Sequence, residues 1–207
     1  MLYVPRALLM LSVLLVLLPV TAAPPLWNNP VTNQPVPLGE VPPFRNGDTV
    51  LFSGDSITRW DMCYPRYIEA FWLTRYPQVR VKYINGGISG TGAGSLLARF
   101  DYDIAGWQPS YITLMLGMND VGWRHFEPDV TPEAREKARQ ELAERWTKDM
   151  GTLIDRMRGL HPRACVVISP TVFDEYTRAD LIHPTIKGLD PELGRLGEIA
   201  LRLARER

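Results

Sequence analysis

A serine in a setting typical of a nucleophile lies early in the chain, in the run Gly54-Asp55-Ser56-Ile57-Thr58. The apolar residues 49–52 directly before it predict a buried strand. In open α/β sheets, ligands bind at the edge where the strands reach their carboxyl ends. Ser56 therefore has the position of a ligand-binding hydroxyl, although the same residues also make an ordinary strand-to-helix turn capped by Asp or Ser.

Two further polar turns close strand-like runs downstream: Asn85-Gly86-Gly87-Ile88-Ser89-Gly90 and Gly117-Met118-Asn119-Asp120. Acyl transfer by a serine needs a base that takes its proton and donors that stabilise the developing oxyanion. Gly87 can bring its backbone N–H close to a ligand because it has no Cβ. Asn119 offers a side-chain N–H, and the backbone N–H of Ser56 is a third donor. The three turns together predict an acyl-transfer site.

The elements that position these turns follow from the apolar pattern. Strands are predicted at residues 49–52, 79–84, 111–116 and 165–169, and helices at residues 67–76, 95–105, 132–160 and 191–205. Thr131 is a natural N-cap for the longest helix, with Pro132 at its first position. Strands that alternate with helices imply a parallel sheet covered on both faces, a three-layer α/β/α domain of the flavodoxin-like kind. The three turns then meet at one edge of that sheet.

The three ordered blocks resemble those of the SGNH hydrolases, the GDSL esterase/lipase family, in which Ser, Gly, Asn and His follow one another along the chain. Ser56 and Gly87 are 31 residues apart, and Gly87 and Asn119 are 32 apart, which suits one βα unit each. The resemblance covers about residues 48–170. It implies the SGNH type of three-layer fold and an acyl-serine mechanism without a metal or organic cofactor. It also implies an oxyanion hole formed by the N–H groups of Ser56 and Gly87 and the side chain of Asn119.

A candidate fourth block is Asp180-Leu181-Ile182-His183-Pro184, which matches the family's Asp-x-x-His-Pro pattern. The resemblance implies that His183 is the general base and that Asp180 orients it. In the family, a helix and a fifth strand usually separate the fourth strand from this motif, whereas only about ten residues do so here. Two interpretations stay open. Either the chain lacks that last βα unit, or the motif is a mimic and the true one lay beyond Arg207.

The other histidines and the tryptophans near the turns are weaker functional candidates. His161 precedes the fourth strand and belongs at the opposite edge of the sheet, while the setting of His125 favours surface packing. Trp60, Trp107 and Trp123 lie near the site turns, where core packing is favoured over a substrate platform.

The N-terminus has the pattern of a cleaved signal peptide at residues 1–23. Arg6 precedes an apolar run at residues 7–18 that only Ser12 interrupts, and small residues follow it. The run is shorter than the roughly 20 residues of a membrane span, so export to the periplasm or the medium is favoured over a retained anchor. Residues 24–44 contain seven prolines and predict an extended lead-in to a single SGNH-like domain at residues 45–207.

Composition excludes several other classes of function. The chain has 23 Lys and Arg residues and 23 Asp and Glu residues. It contains no basic run interleaved with aromatic residues, so the sequence does not predict nucleic-acid binding. Three His and two Cys are scattered without the spacing of metal ligands. Cys63 and Cys165 are expected near opposite edges of the sheet, as two buried thiols and not as a disulfide. The glycines at residues 90–94 fail the dinucleotide fingerprint because position 95 is Ser.

The sequence therefore predicts an exported serine esterase that acts on an O-acyl ester of a small molecule or carbohydrate. A short acyl group such as a carbohydrate O-acetyl is the first expectation, by analogy with exported members of the family. Two alternatives stay open: a catalytically impaired or truncated carbohydrate-binding relative, and an O-acyltransferase that passes the acyl group to an alcohol.

Overall fold

The computed structural model of the chain describes residues 44–173 and 188–207. The predicted signal peptide at residues 1–23 and nearly all of the proline-rich lead-in lie outside the described residues. Asp180 and His183, the predicted catalytic pair, lie outside them as well. Ser56, Gly87 and Asn119 lie within the described residues.

Four parallel strands form the sheet in the order β2-β1-β3-β4. They are β1 (Thr49–Gly54), β2 (Lys82–Gly87), β3 (Tyr111–Met115) and β4 (Ala164–Ile168). The four predicted strands are confirmed, but β2 begins and ends three residues later than residues 79–84. The cause is the pairing of β2 with β1, in which Asn85, Gly86 and Gly87 lie opposite Phe52, Ser53 and Gly54. Gly54, Gly86 and Gly87 are thus the last residues of strands and not turn residues.

The helices are α1 (Ser56–Arg59), α2 (Tyr64–Arg75), α3 (Ala93–Ala98), α4 (Phe100–Asp103), α5 (Pro132–Gly159) and α6 (Leu189–Glu206). Thr131 caps α5 as predicted, because its side chain accepts a hydrogen bond from the N–H of Ala134 at 3.2 Å. The prediction of one helix over residues 95–105 is wrong. Arg99 leaves helical geometry with φ −108° and ψ 10°, and its side chain bonds Asp103 and Thr91 instead.

Alternate residues of β1 enter two separate cores. Leu51 belongs to a large core that α3, α5 and α6 complete on one face of the sheet, with Trp146, Met150 and Leu196 among its buried members. Val50 and Phe52 point to the opposite face, where α2 covers a small cluster that also includes Tyr111. This alternation is what a strand between two helical layers requires. The predicted α/β/α sandwich is confirmed.

Both cysteines are free, Cys63 buried and Cys165 half-buried, so the prediction of unpaired thiols is confirmed and that of two fully buried ones holds for Cys63 alone. Burial raises the pKa of the Cys165 thiol to about 11. Among the described residues, no group of three or more His, Cys, Asp or Glu side chains is arranged to hold a metal ion. No helix in that same part of the chain is both long and apolar enough to cross a bilayer.

Candidate active site

The carboxyl ends of three neighbouring strands bring the three polar turns to one edge of the sheet. Gly54 at the end of β1 lies in register with Gly87 of β2 on one side and Met115 of β3 on the other. The chain leaves these strands into the segments that hold Ser56, Ile88 and Asn119. The predicted convergence of the three motifs is therefore present in the fold.

Ser56 is the first residue of α1, directly after β1, and it is half-buried. Its position depends on Asp55, which caps the helix: the Asp55 carboxylate accepts a hydrogen bond from the N–H of Ile57 at 2.9 Å. Burial raises the pKa of Asp55 above its usual range, and hydrogen bonds from the N–H groups of Ile57 and Asp55 oppose that rise. The cap holds the serine at the sheet edge through the backbone.

Two glycines let α1 lie directly on the strand ends. A Cβ on Gly54 would lie 2.2 Å from the Oγ1 of Thr58, and a Cβ on Gly87 would lie 2.4 Å from the backbone N of Arg59. Real side chains do not tolerate such separations, and the second neighbour is backbone that cannot rotate away. The motif glycines are thus required by the close approach of α1 to β1 and β2.

Asn85 is a residue of this site for which the sequence analysis predicted no role. Its side-chain amide donates to the carbonyl oxygen of Thr58 at 2.9 Å, and its carbonyl oxygen accepts the N–H of Gly87 at 3.0 Å. One side chain therefore ties the end of α1 to β2 and also occupies the Gly87 N–H. An Asn two residues before a glycine N–H is the sequence signal for such a local bond.

Asn119 joins the third turn to the first two. Its exposed side chain donates to the carbonyl oxygen of Thr91 at 3.1 Å and to the Asp55 carboxylate at 3.4 Å. The shorter bond orients the amide, whereas the longer one is weak by distance. Gly117 begins this turn with φ +129°, a conformation that side chains rarely adopt. Asn119 is thereby brought next to the residue that precedes Ser56.

Asp120 fixes the same turn from the other side. One carboxylate oxygen accepts the N–H of Ala93 at 2.8 Å, at the start of α3. The other oxygen is buried and has no hydrogen-bond partner in the described part of the chain. Burial raises the pKa of Asp120 to about 6, and the bond from Ala93 and the charge of Arg145 act against that rise.

The two described histidines do not join this site. His161 precedes β4, at the opposite edge of the sheet, with a left-handed φ of +55°. His125 is exposed in a short 3₁₀ turn, where its ring packs against Gly122. Both placements agree with the sequence-based expectations.

The three tryptophans that the sequence analysis expected near the site turns are all exposed, so the favoured interpretation of core packing is wrong. Trp60 lies beside Ser56 in an open cavity, and Trp123 packs on Phe173. Trp107 stacks with Lys82 at the amino end of β2 and so lies away from the site. Apolar residue type alone could not separate these side chains from the buried Trp146.

A parallel α/β/α sandwich in which Gly-Asp-Ser, Gly-Gly and Gly-x-Asn-Asp segments meet at one sheet edge is a protein of the SGNH class. The chain belongs to the GDSL-like lipase/acylhydrolase family, whose model matches residues 52–207. The resemblance noted from the sequence is confirmed.

The relatives of this chain cover different shares of it. An acetylxylan esterase from Geobacillus stearothermophilus is 30% identical over 96 residues, which are 40% of this chain and 43% of that protein. The solved structure of a gut microbial diltiazem-metabolizing enzyme has a TM-score of 0.70 at 27% identity, over 79% of this chain and 36% of that one. The chain thus matches less than half the length of each. Axe2, an acetylxylan esterase from the same Geobacillus species, has a TM-score of 0.61 at 20% identity over 79% and 74% of the two chains, a likeness of fold.

Proposed function

We propose that the protein is a serine esterase that hydrolyses O-acyl esters through an acyl-serine intermediate on Ser56. The observation that supports this most is the contact between the Asn119 amide and Asp55, the residue before Ser56, at 3.4 Å. This contact supports the proposal because Asn119, a side-chain donor, bonds the residue that precedes a half-buried serine, at the edge of the sheet where ligands bind. Membership of an acylhydrolase family supports the same chemistry.

In this proposal the Ser56 Oγ attacks the carbonyl carbon of the ester while its proton passes to His183, which Asp180 orients. The carbonyl oxygen becomes an oxyanion that accepts hydrogen bonds from the N–H groups of Ser56 and Gly87 and from the Asn119 amide. The ester C–O bond then breaks, and the alcohol leaves with the proton from His183. Water attacks the acyl-serine by the same route in reverse and releases the carboxylic acid.

Two of the proposed donors have partners in the free protein. The Gly87 N–H donates to the Asn85 side chain at 3.0 Å, and the Asn119 amide has its weaker bond to Asp55. An oxyanion forms charge-assisted hydrogen bonds that are roughly twice as strong as neutral ones. The developing oxyanion can therefore replace Asn85, a neutral acceptor, as the partner of the Gly87 N–H. It can also accept a hydrogen bond from the Asn119 amide proton that is not bonded to the Thr91 carbonyl oxygen.

The substrate we propose is an ester of a short-chain acid, the class that contains carbohydrate O-acetyl esters. Support comes from the Geobacillus stearothermophilus relative, an acetylxylan esterase. The apolar N-terminal run with its small-residue end supports export to the periplasm or the medium.

The test is hydrolysis of p-nitrophenyl acetate by the purified protein and three variants. Ser56→Ala removes the nucleophile, and we expect kcat/KM to fall by at least about a thousandfold. His183→Ala should reduce it comparably. His161→Asn is the matched control, because it changes a histidine at the opposite sheet edge to a residue that tolerates a left-handed backbone. Its rate should equal that of the wild type.

Mass spectrometry of the protein after a fluorophosphonate probe adds a direct readout. The label should appear on the peptide that contains Ser56. Activity that survives Ser56→Ala would overturn the serine mechanism. Unchanged activity in His183→Ala would remove His183 as the base while leaving Ser56 in its role. Product analysis with a sugar acceptor present separates hydrolysis from acyl transfer, and no turnover at all would favour a non-catalytic relative.

A further inference from the structure

An open cavity of about 520 Å³ lies directly beside Ser56. Ser56 and Ile57 line it at the start of α1, and Met115 and Ile168, the last residues of β3 and β4, line it from the sheet. The cavity therefore begins at the proposed nucleophile and continues away from β2, on the side of Ser56 opposite Gly87.

The lining is apolar. Among the described residues that line the cavity no side chain carries a charge. Two of the polar groups there are engaged elsewhere: the Tyr64 hydroxyl is bonded to the Thr113 hydroxyl at 3.0 Å, and the Cys63 thiol donates to the Thr58 carbonyl at 3.0 Å. Sugar hydroxyls need several polar partners, whereas the described lining consists mainly of apolar side chains. An alkyl chain fits it.

The mouth of the cavity is formed by two large apolar side chains in water. Trp60 is 71% exposed and Met62 is 78% exposed. Exposed apolar groups that stand together at a cleft often mark a binding surface, because their burial against an apolar ligand is favourable. A chain that extends from Ser56 would cover both side chains.

We propose that this cavity binds the alkyl chain of the acyl group, so that the enzyme prefers linear acyl groups of roughly four to eight carbons over acetyl. The proposal rests on the proposed esterase function and deepens it. If each methylene takes about 30 Å³, the volume of a water molecule in the liquid, a chain of about eight methylenes fills about half of the cavity. We assign the cavity to the acyl chain and not to the alcohol because the acyl group stays bonded to Ser56 until water attacks.

The experiment compares kcat/KM for p-nitrophenyl acetate, butyrate, hexanoate and octanoate, which share one leaving group. Burial of each methylene contributes up to about fourfold, so we expect hexanoate to exceed acetate by at least about tenfold in the wild type. Thr171→Trp fills the cavity from its wall and should bring that ratio to about one. Trp60→Ala should lower the ratio severalfold.

The matched control is Trp107→Ala. Trp107 is also exposed, at 42%, but it stacks on Lys82, the first residue of β2 at the opposite edge of the sheet. Its loss should leave the chain-length ratio unchanged. Because each result is a ratio within one protein preparation, partial loss of folded protein does not alter it.

A flat acyl profile with Ser56-dependent acetate hydrolysis would overturn the cavity assignment and leave the esterase in place. A preference that follows chain length in alkyl acetates, and not in the acyl series, would also overturn it, by assigning the cavity to the alcohol.

A binding measurement covers the case of no turnover. Hexanoate, but not acetate, should change the tryptophan fluorescence of Ser56→Ala, and the added Trp60→Ala change should abolish that response; absence of the response contradicts the proposal without reference to catalysis.

Discussion

The two faces of the sheet differ in how much side-chain surface they bury. On the α5 side, α5 has seven buried residues, and the Trp146 indole N–H reaches the carbonyl oxygen of Leu196 on α6 at 2.9 Å. Glu192 of α6 is fully buried there and bonded by Arg139 at 2.7 Å and by Arg195. On the α2 side, Pro65 is the one buried residue of α2, and Phe71 of the same helix is half in solvent.

This difference divides the candidate site between two kinds of support. Asn119 and Asp120 are tied to the loop and helix on the heavily packed face, through Thr91 and Ala93. The cavity beside Ser56 faces the lightly packed side and takes in Tyr64 from α2. Donors that must meet a developing charge need fixed positions, whereas a pocket for a variable alkyl chain gains from side chains that can adjust. The heavily packed face holds the donor Asn119 in place, and the lightly packed face provides the adjustable pocket.

The largest effect on stability should come from replacing one tryptophan on each face of the sheet by alanine. Trp146→Ala empties a buried site and leaves the Leu196 carbonyl without its donor, so we expect the free energy of unfolding to fall by about 3–5 kcal/mol. Trp72→Ala removes a half-buried ring that packs on Phe44 and Tyr76, and we expect a loss of about 1–2 kcal/mol. Urea unfolding of both variants measures this. Equal losses would mean that the faces contribute alike.

A second prediction concerns the donor held by the heavily packed face. Asn119→Ala should lower kcat by about a hundredfold to a thousandfold, or about 2.7–4 kcal/mol, with little change in KM, because its bond matters most in the transition state. Steady-state kinetics on p-nitrophenyl butyrate measures the split. Asn46→Ala is the control: Asn46 binds the N–H of Arg80 at 2.7 Å near the amino ends of β1 and β2 and should leave kcat unchanged. A rise in KM with constant kcat would argue against an oxyanion role.

A third prediction concerns the contact of α1 with β2. Gly87→Ala puts a Cβ 2.4 Å from the backbone of Arg59, so α1 must shift, at a cost of about 1–3 kcal/mol of stability and a loss of activity from the displaced Ser56. The matched control is Gly194→Ala in α6, where a Cβ meets nothing within 4 Å. That change should stabilise the protein by about 0.5–1 kcal/mol. A Gly87→Ala protein with wild-type stability and activity would disprove the tight contact.

The sequence could predict the parts of this fold that local patterns encode. Apolar runs located the four strands, and the polar turns located Ser56, Gly87 and Asn119 at one edge. The break at Arg99 was not predictable, because it depends on side-chain bonds to Thr91 and Asp103 from a neighbouring loop and helix.

The exposure of Trp60 was also hidden from the sequence. A tryptophan gains stability in a core and at a ligand site alike, and residue type does not tell which surface covers it. The difference between the two faces of the sheet depends on the number of helices that each face receives. Only the three-dimensional arrangement gives that number.

The smallest effect, and the one that probes the support beneath Asn119 most directly, is the pH dependence that Asp120 gives to stability. Burial raises its pKa from 3.8 to about 6, with Arg145 opposing the rise and Asp55 and Asp149 adding to it. The folded protein therefore holds this proton more tightly than the unfolded chain does. The resulting stabilisation is complete below about pH 3.8 and is lost as the pH rises through about 6.

Asp120→Asn keeps an oxygen for the Ala93 N–H and removes the titration. We expect the variant to be more stable than the wild type by about 1–2 kcal/mol at pH 7.5, less than the roughly 3 kcal/mol that the full pKa rise would give, because the neutral amide also lacks a partner. As the pH falls from 6 to 4 the gain should disappear and then reverse by about 1 kcal/mol, because Asp120 becomes protonated while the cost of the unpartnered amide remains. Urea unfolding across this range measures it, with Asp129→Asn, an exposed carboxylate, as the control for loss of one charge. If the free energies of unfolding of the wild type and Asp120→Asn change in parallel with pH, burial of the Asp120 carboxylate does not destabilise the fold.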